Sequence, residues 1–353
     1  MIELFDYQQI LVDDTRAAYR SGKMAPLLVL PTGGGKTVIF THIAMTAANK
    51  GLRVLVLVHR IELVDQVSQA LKKWGCAHGL ICAAELFTND NVQVGMVQTL
   101  ARRVMLDKSG RFKFDLIIID ECHRGSAAAD SKNSTWGKVI QHSAGCKLLG
   151  VSATPCRLDG KGLGAHANGF FDEIVIGPTM QELIDRGRLV EPVIYAPEQS
   201  VNLTGVKRSG GDYVQRELAG AMDQVGITGD AVEHYRRFAN NSAAIAFTVT
   251  VEHAEHVAES FRAAGYQAAV LSGITKANER RQMISDLGNR QLHILASCNV
   301  VSEGTDIPVV ETGILLRPTD SYALAMQQIG RCLRALPGKS RAIILDHADN
   351  VRR

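Results

Sequence analysis

Short unbroken apolar runs recur along the chain, each followed by a polar or glycine-rich turn. Five lie in the first half: Leu27–Leu30, Arg53–Val58, Val92–Gly95, Leu116–Ile119 and Lys147–Val151. Five more follow: Ala243–Phe247, Ala268–Leu271, Leu292–Ala296, Thr312–Leu316 and Arg341–Leu345. Runs this short, without apolar–polar alternation, predict strands buried on both faces. Stretches with helical apolar spacing, such as Ile61–Trp74 and Val251–Ala264, lie between them. Strands alternating with helices predict an α/β class of doubly wound parallel sheets. Residues 152–242 hold no long apolar run and are punctuated by Gly177-Pro178, Gly187, Pro192 and Pro197. A boundary near 177–192 therefore divides the chain into domains 1–180 and 181–353.

Composition agrees with two domains. A chain of 353 residues is long for one, and 46% apolar content fills two cores. The net charge of +3 is compatible with a polyanionic partner without demanding one. Seven cysteines with no C-x-x-C pair argue against a disulfide framework or a zinc site, and suit reduced intracellular thiols. The N-terminus has no basic leader with an apolar run, and no stretch reaches membrane-spanning length. The expectation is a cytoplasmic protein with no membrane partner.

The chemistry concentrates where the predicted strands end. Pro31-Thr32-Gly33-Gly34-Gly35-Lys36-Thr37 joins a strand to a helix. Consecutive glycines let the backbone wrap a phosphate because no Cβ intrudes. N–H groups opening the helix, with its dipole, attract the anion. In such a P-loop the lysine, Lys36, reaches the β/γ-phosphates and the Thr37 hydroxyl holds Mg²⁺. The general pattern has Gly six residues before the Lys. Leu30 stands there, so the loop fits the narrower form x-x-T-G-x-G-K-T. A ligand-free glycine turn is the plain alternative, and Lys-Thr opening a helix directly after a strand weighs against it.

Leu116–Ile119 delivers Asp120 and Glu121 at a strand end. Asp120 suits Mg²⁺ opposite Thr37, and Glu121 suits activation of an attacking water. Adjacent carboxylates repel, and a bound cation rationalises them. Cys122 and His123 follow, but no Cys or His lies at ligand spacing from them, so zinc is rejected. Upstream of the P-loop, the Gln8 amide can both donate to and accept from an adenine edge; a surface glutamine is the alternative. His59-Arg60-Ile61-Glu62-Leu63, Gln98-Thr99-Leu100 and Ser152-Ala153-Thr154-Pro155 each follow a strand, where open α/β sheets place ligands. In the second half, Ser302-Glu303-Gly304-Thr305-Asp306-Ile307-Pro308 follows Leu292–Ala296. Gln327-Gln328-Ile329-Gly330-Arg331-Cys332-Leu333-Arg334 carries two arginines three apart, on one face if the stretch is helical. A guanidinium neutralises charge that develops on a γ-phosphate; a solvated helix face is the alternative.

Taken in order, Tyr7-Gln8, PTGGGKT, HRIEL, VQTL, DECH, SATP, SEGTDIP and QQIGRCLR resemble superfamily 2 helicases and translocases of the DEAD/DEAH-box type. The pattern is most like the branch holding phage and prophage DEAH-type helicases, UvsW and XPB. It covers residues 7 to 334. The resemblance implies two tandem RecA-like domains of the P-loop NTPase type, with ATP and Mg²⁺ in the cleft between them. Gln8 would read adenine. Thr32, Gly33, Gly34, Gly35, Lys36 and Thr37 would hold phosphates, and Thr37 and Asp120 would hold Mg²⁺. Glu121 would act as base, beside Lys36 and Asp120, and Arg331 and Arg334 as arginine fingers. Gly304 and Asp306 would reach the nucleotide from the second domain. Ser152 and Thr154 would couple hydrolysis to movement, and Arg60, Thr99 and Thr248 would touch the nucleic-acid backbone. Ser272-Gly273 stands where the family has a His-Gly pair. DNA is favoured over RNA, with room for a protein loading partner and a phage or prophage origin. An RNA helicase and a nucleotide-gated clamp that binds without unwinding remain open. A P-loop kinase or GTPase leaves SATP and the second domain unexplained, and no N-K-x-D guanine reader is present.

Overall fold

All five residues of Val54–Val58 and all five of Leu116–Asp120 are buried. Layers on both faces of a parallel sheet explain why such runs show no alternation. The structure, a computed structural model, describes residues 3–83, 85, 87–125, 134–156, 162–196, 203–209, 212–223, 225–298, 307 and 309–352. The chain divides into two units, Met1–Thr179 and Met180–Arg353.

The first unit runs α1 (Asp6–Arg20), β1 (Pro26–Val29), α2 (Lys36–Ala48), β2 (Val54–Val58), α3 (Ile61–Lys73), β3 (Gly79–Ile81) and β4 (Val92–Met96). It continues with α4 (Val97–Val104), β5 (Leu116–Asp120), α5 (Cys122–Gly125), α6 (Thr135–His142), β6 (Lys147–Ser152) and β7 (Glu173–Ile176). Helix α3 shows the local logic. Leu63, Val64, Val67 and Leu71 form its buried stripe, and Lys72 and Lys73 in its last turn suit the helix dipole. The strands pair in parallel in the order β3-β4-β2-β5-β6-β1-β7. Strands β5 and β6 therefore sit between β1 and β2, which opens a crevice at the carboxyl ends of this switch point.

The second unit runs α7 (Met180–Asp185), β8 (Glu191–Tyr195), the antiparallel pair β9 (Arg208–Ser209) and β10 (Asp212–Tyr213), α8 (Gln215–Met222) and α9 (Val225–Phe238). Then come β11 (Ala244–Thr248), α10 (Val251–Ala263), β12 (Ala268–Leu271), α11 (Ala277–Gly288), β13 (Ile294–Cys298), β14 (Thr312–Leu315), α12 (Tyr322–Cys332) and β15 (Arg341–Asp346). Its sheet is also parallel, in the order β12-β13-β11-β14-β15-β8.

Each of the ten apolar runs forms a strand, with ends shifted by no more than two residues. In the two large sheets, strands β3, β7 and β8 lie outside those runs. All three are sheet edges. An edge strand pairs on one side only and carries polar residues, so β7 reads Glu-Ile-Val-Ile and β8 reads Glu-Pro-Val-Ile-Tyr. Asp172 seats β7 beside β1 by accepting from the N–H groups of Met24 (2.8 Å) and Ala25 (3.0 Å). Cys82, Cys122, Cys298 and Cys332 are buried, while Cys76, Cys146 and Cys156 are half-buried. No helix among the described residues is long and apolar enough to cross a membrane.

Candidate active site

Strand β1 leads into the P-loop at Leu30, whose N–H donates to Ser152 O at 3.0 Å. Gly33 and Gly35 both adopt the left-handed region, at φ 88° and 87°. Gly35 is the N-cap of α2; no side chain caps this helix, and its first turn has no acid. Free N–H groups at a helix start, with Lys36 beside them, form an anion site. Lys36 Nζ folds back onto Leu30 O at 3.3 Å, which holds the ammonium within the loop. Thr32 is buried and Thr37 half-buried in the same turn.

Tyr7 and Gln8 clamp this loop from α1. Tyr7 Oη donates to Gly34 O at 2.9 Å and Gln8 Nε2 to the same oxygen at 3.4 Å. Gln8 Oε1 accepts from Phe5 N–H at 3.0 Å. Gln8 is buried, and both ends of its amide are engaged with protein. Its role in this structure is therefore to brace the P-loop, with Nε2 also 3.5 Å from Tyr7 Oη.

The left-handed region costs a residue with a Cβ roughly 1–2 kcal/mol. A Cβ on Gly35 would also stand 2.3 Å from Gln8 Nε2. Gly35→Ala is expected to lower the melting temperature by a few degrees and to weaken nucleotide binding at least about tenfold. Thermal melts and titration with a fluorescent ATP analogue check this. Unchanged affinity would show that Gln8 simply moves aside.

Two strands away, β5 ends in Asp120 and Glu121. Register aligns Leu28 with Val151 and Val151 with Asp120. At one strand spacing of about 4.8 Å each, β1 and β5 are roughly 10 Å apart across β6. Asp120 is buried and its Oδ1 accepts from Glu121 N–H at 3.0 Å. Glu121 sits at φ 49°, strained for a residue with a side chain. Burial, and then the charges of Glu121 and Asp120, push the Cys122 thiol well above its usual range.

His123 joins β5 to β6. Its Nδ1 lies 3.0 Å from Ser152 Oγ and 3.4 Å from Glu121 Oε2. Ser152 Oγ donates to Thr154 O at 2.7 Å and accepts from Thr154 N–H at 3.1 Å. The one hydroxyl hydrogen is thus committed to Thr154, so His123 Nδ1 must be the donor to Ser152. Thr154 Oγ1 is buried with no partner among the described residues. The motifs predict roles for Ser152 and Thr154, whereas His123 enters the sequence reading only as a candidate metal ligand. Its position directly after two carboxylates was the available signal.

Arg60 and Thr99 are brought together. They follow the neighbouring strands β2 and β4, at the N-cap of α3 and in the first turn of α4. Gln98 Nε2 ties the two turns by donating to His59 O at 3.1 Å. Thr248 lies in the second unit, at the end of β11. It is buried, and its hydroxyl donates to Ser297 O at 3.2 Å and Thr250 O at 3.3 Å. In this structure the hydroxyl hydrogen is engaged at the strand end. Gly304 and Asp306 lie outside the described residues. Arg331 is in the last turn of α12 and half-buried, but Arg334 is past the helix end, where it bridges to Leu189. The two arginines therefore do not share a helix face. The helix stops because Leu333 O accepts from Val190 N–H at 2.8 Å, which draws the chain toward β8. Burial lowers the Arg334 pKa.

Fold and site together define a P-loop protein with tandem RecA-like units. Residues 1–157 match the family of type III restriction enzyme res subunits, and residues 229–336 match the helicase conserved C-terminal domain. The chain belongs to the superfamily 2 helicases. It is similar to a 51.5 kDa protein of Lactococcus phage (isolate 7-9), 34% identical over 91% of this chain and 65% of that protein. It is also similar to the Schizosaccharomyces pombe protein named as mitochondrial ATP-dependent helicase irc3, 31% identical over 100% of this chain and 58% of that protein. It thus spans less than two thirds of either relative. Among solved structures, a fragment of an HsdR subunit of a type I restriction enzyme from Vibrio vulnificus YJ016 shares the fold. The TM-score is 0.72 at 21% identity, covering 97% of this chain and 63% of that one.

Proposed function

We propose that this chain is the ATP-hydrolysing core of a nucleic-acid helicase or translocase that works on DNA. The observation that carries the reading is the first unit's crevice. An uncapped, lysine-bearing helix start faces a switch point beside two carboxylates, which His123 wires to Ser152. The α2 N–H groups and Lys36 bind the phosphates, and Gln8 braces the loop beneath them. The donor set fits Mg²⁺, which takes a hydroxyl and one carboxylate and leaves the rest to phosphates and water; Thr37 and Asp120 would hold it, and its charge would offset that of the phosphates. Glu121 accepts the proton of the attacking water. Arg331 and Arg334 of the second unit neutralise the γ-phosphate. Loss of that phosphate is felt at Glu121 and passes through His123 to Ser152 and Thr154. Arg60 and Thr99 follow the phosphodiester backbone on adjacent turns, which favours weak sequence preference. The DECH and QxxGRxxR forms, with the restriction-subunit match of the first domain, favour DNA over RNA. Buried, reduced thiols suit the cytoplasm.

The test is ATP hydrolysis without polynucleotide and with single-stranded, duplex and forked DNA and RNA at matched low salt. DNA is expected to stimulate turnover at least about tenfold, with a steep loss as salt rises from 50 to 200 mM, as counterion release dictates. Hydrolysis indifferent to every polynucleotide overturns the coupling. Stimulation by RNA alone moves the track to RNA. Strand displacement then separates unwinding from translocation and from a static clamp.

A further inference from the structure

Lys339 is half-buried, yet its ammonium does not face solvent partners. Its Nζ donates to Val310 O at 2.7 Å, to Arg334 O at 3.0 Å and to Cys332 O. These carbonyls belong to three places: the segment entering β14, the last residue of α12 and the chain just beyond it. Helix ends leave their final carbonyls without intrahelical donors, and a cation there also complements the dipole. The turn before Lys339 is built to deliver it. Lys339 N–H donates to Leu336 O at 3.0 Å across Pro337 and Gly338, with Gly338 at φ 81°. Proline second and glycine third is the composition that a type II turn requires.

We propose that Lys339 is a positioning residue for Arg331 and Arg334: its ammonium gathers the carbonyl of Cys332, which follows Arg331, and that of Arg334 itself against that of Val310, and so sets where each guanidinium is aimed. The proposal rests on the reading that those arginines act at the γ-phosphate. Three carbonyl acceptors consume all three hydrogens of an ammonium, whereas a neutral amine has two. Burial pulls Lys339 down to about 8, while Cys332 and Glu311 favour its cation and Arg334 opposes it. The clamp therefore loosens within the pH range of ordinary assays.

Lys339→Met keeps most of the stem and removes every donor. With saturating DNA, kcat is expected to fall roughly 10²-fold, the scale of an ångström-sized misplacement of a catalytic group. Affinity for a fluorescent ATP analogue in the absence of DNA, which reads the P-loop, is expected to stay unchanged. In an Arg331→Ala background, measured in single turnover, Lys339→Met is expected to add little, because it acts through the missing group. Wild-type kcat is expected to decline above pH of about 8 relative to the Met variant. Undiminished kcat in Lys339→Met, effects that multiply with Arg331→Ala, or parallel pH profiles each overturn the proposal. Lys339→Gln, which keeps two N–H donors, takes the same tests if the Met variant melts below the assay temperature. If Arg331→Ala itself turns over normally, the arginine reading has failed. A slow Arg331→Ala beside a normal Lys339→Met defeats only the positioning role.

Discussion

Arg331→Ala is expected to lower ATP turnover by roughly 10³-fold, the usual scale for an arginine finger. The reason is charge placed late. The phosphoryl group gains little from a cation in the ground state and much as charge spreads over its oxygens. Arg331 lies in the last helical turn of α12, a helix packed on β14 and β15, and most of its surface is covered. A guanidinium held there loses little freedom when it engages. Arg331→Lys keeps the charge but not the planar fork, and is expected to recover only part of the loss. Nucleotide affinity, read on the same samples, should hold if the phosphates bind at the start of α2, as proposed. Near-wild-type turnover in Arg331→Ala would remove the finger from this residue.

Glu121→Gln is expected to lower turnover by roughly 10²–10⁴-fold, the contribution of a positioned general base. The substitution preserves shape and removes proton affinity. Glu121 carries a strained backbone at φ 49° and keeps its carboxylate 3.4 Å from His123 Nδ1. Such strain persists only where the surroundings enforce it, and it clusters at functional sites. The variant should bind nucleotide and DNA normally and stall before hydrolysis. Single-turnover hydrolysis beside nucleotide titration separates this outcome from a damaged P-loop. A loss smaller than about tenfold would mean that another group takes the proton.

The sheets were legible because their strands are covered on both faces. Val54–Val58 and Leu116–Asp120 have no solvent side, so nothing interrupts their apolar character. Edge strands obey a different rule. Pro192 read as a boundary marker, yet it lies inside β8, at the sheet edge where a missing N–H does little harm. The functional turns were legible because open parallel sheets place chemistry at the carboxyl ends of strands. What the linear chain hid were bonds between distant turns. His123 and Ser152 are 29 positions apart and meet only because β5 and β6 are neighbours. The end of α12 was hidden for the same reason, since Val190 and Lys339 set it from outside the helix. A strand-end hydroxyl such as that of Thr248 looks alike in sequence whether it faces a ligand or a neighbouring carbonyl, and its bonds to Ser297 and Thr250 are visible only in the fold.

The cysteines have a practical consequence. Burial raises the pKa of Cys76, Cys82, Cys122, Cys298 and, more strongly, Cys146 and Cys332, to about 11 and about 12 for the last two. Thiolates, not thiols, react with maleimides and iodoacetamides, so these six are slow partners for both near neutral pH. A cysteine introduced on an exposed helix face would outcompete them. Once Cys156, the remaining half-buried thiol, is replaced, a dye can be placed at a chosen position of either unit with the other native thiols left in place.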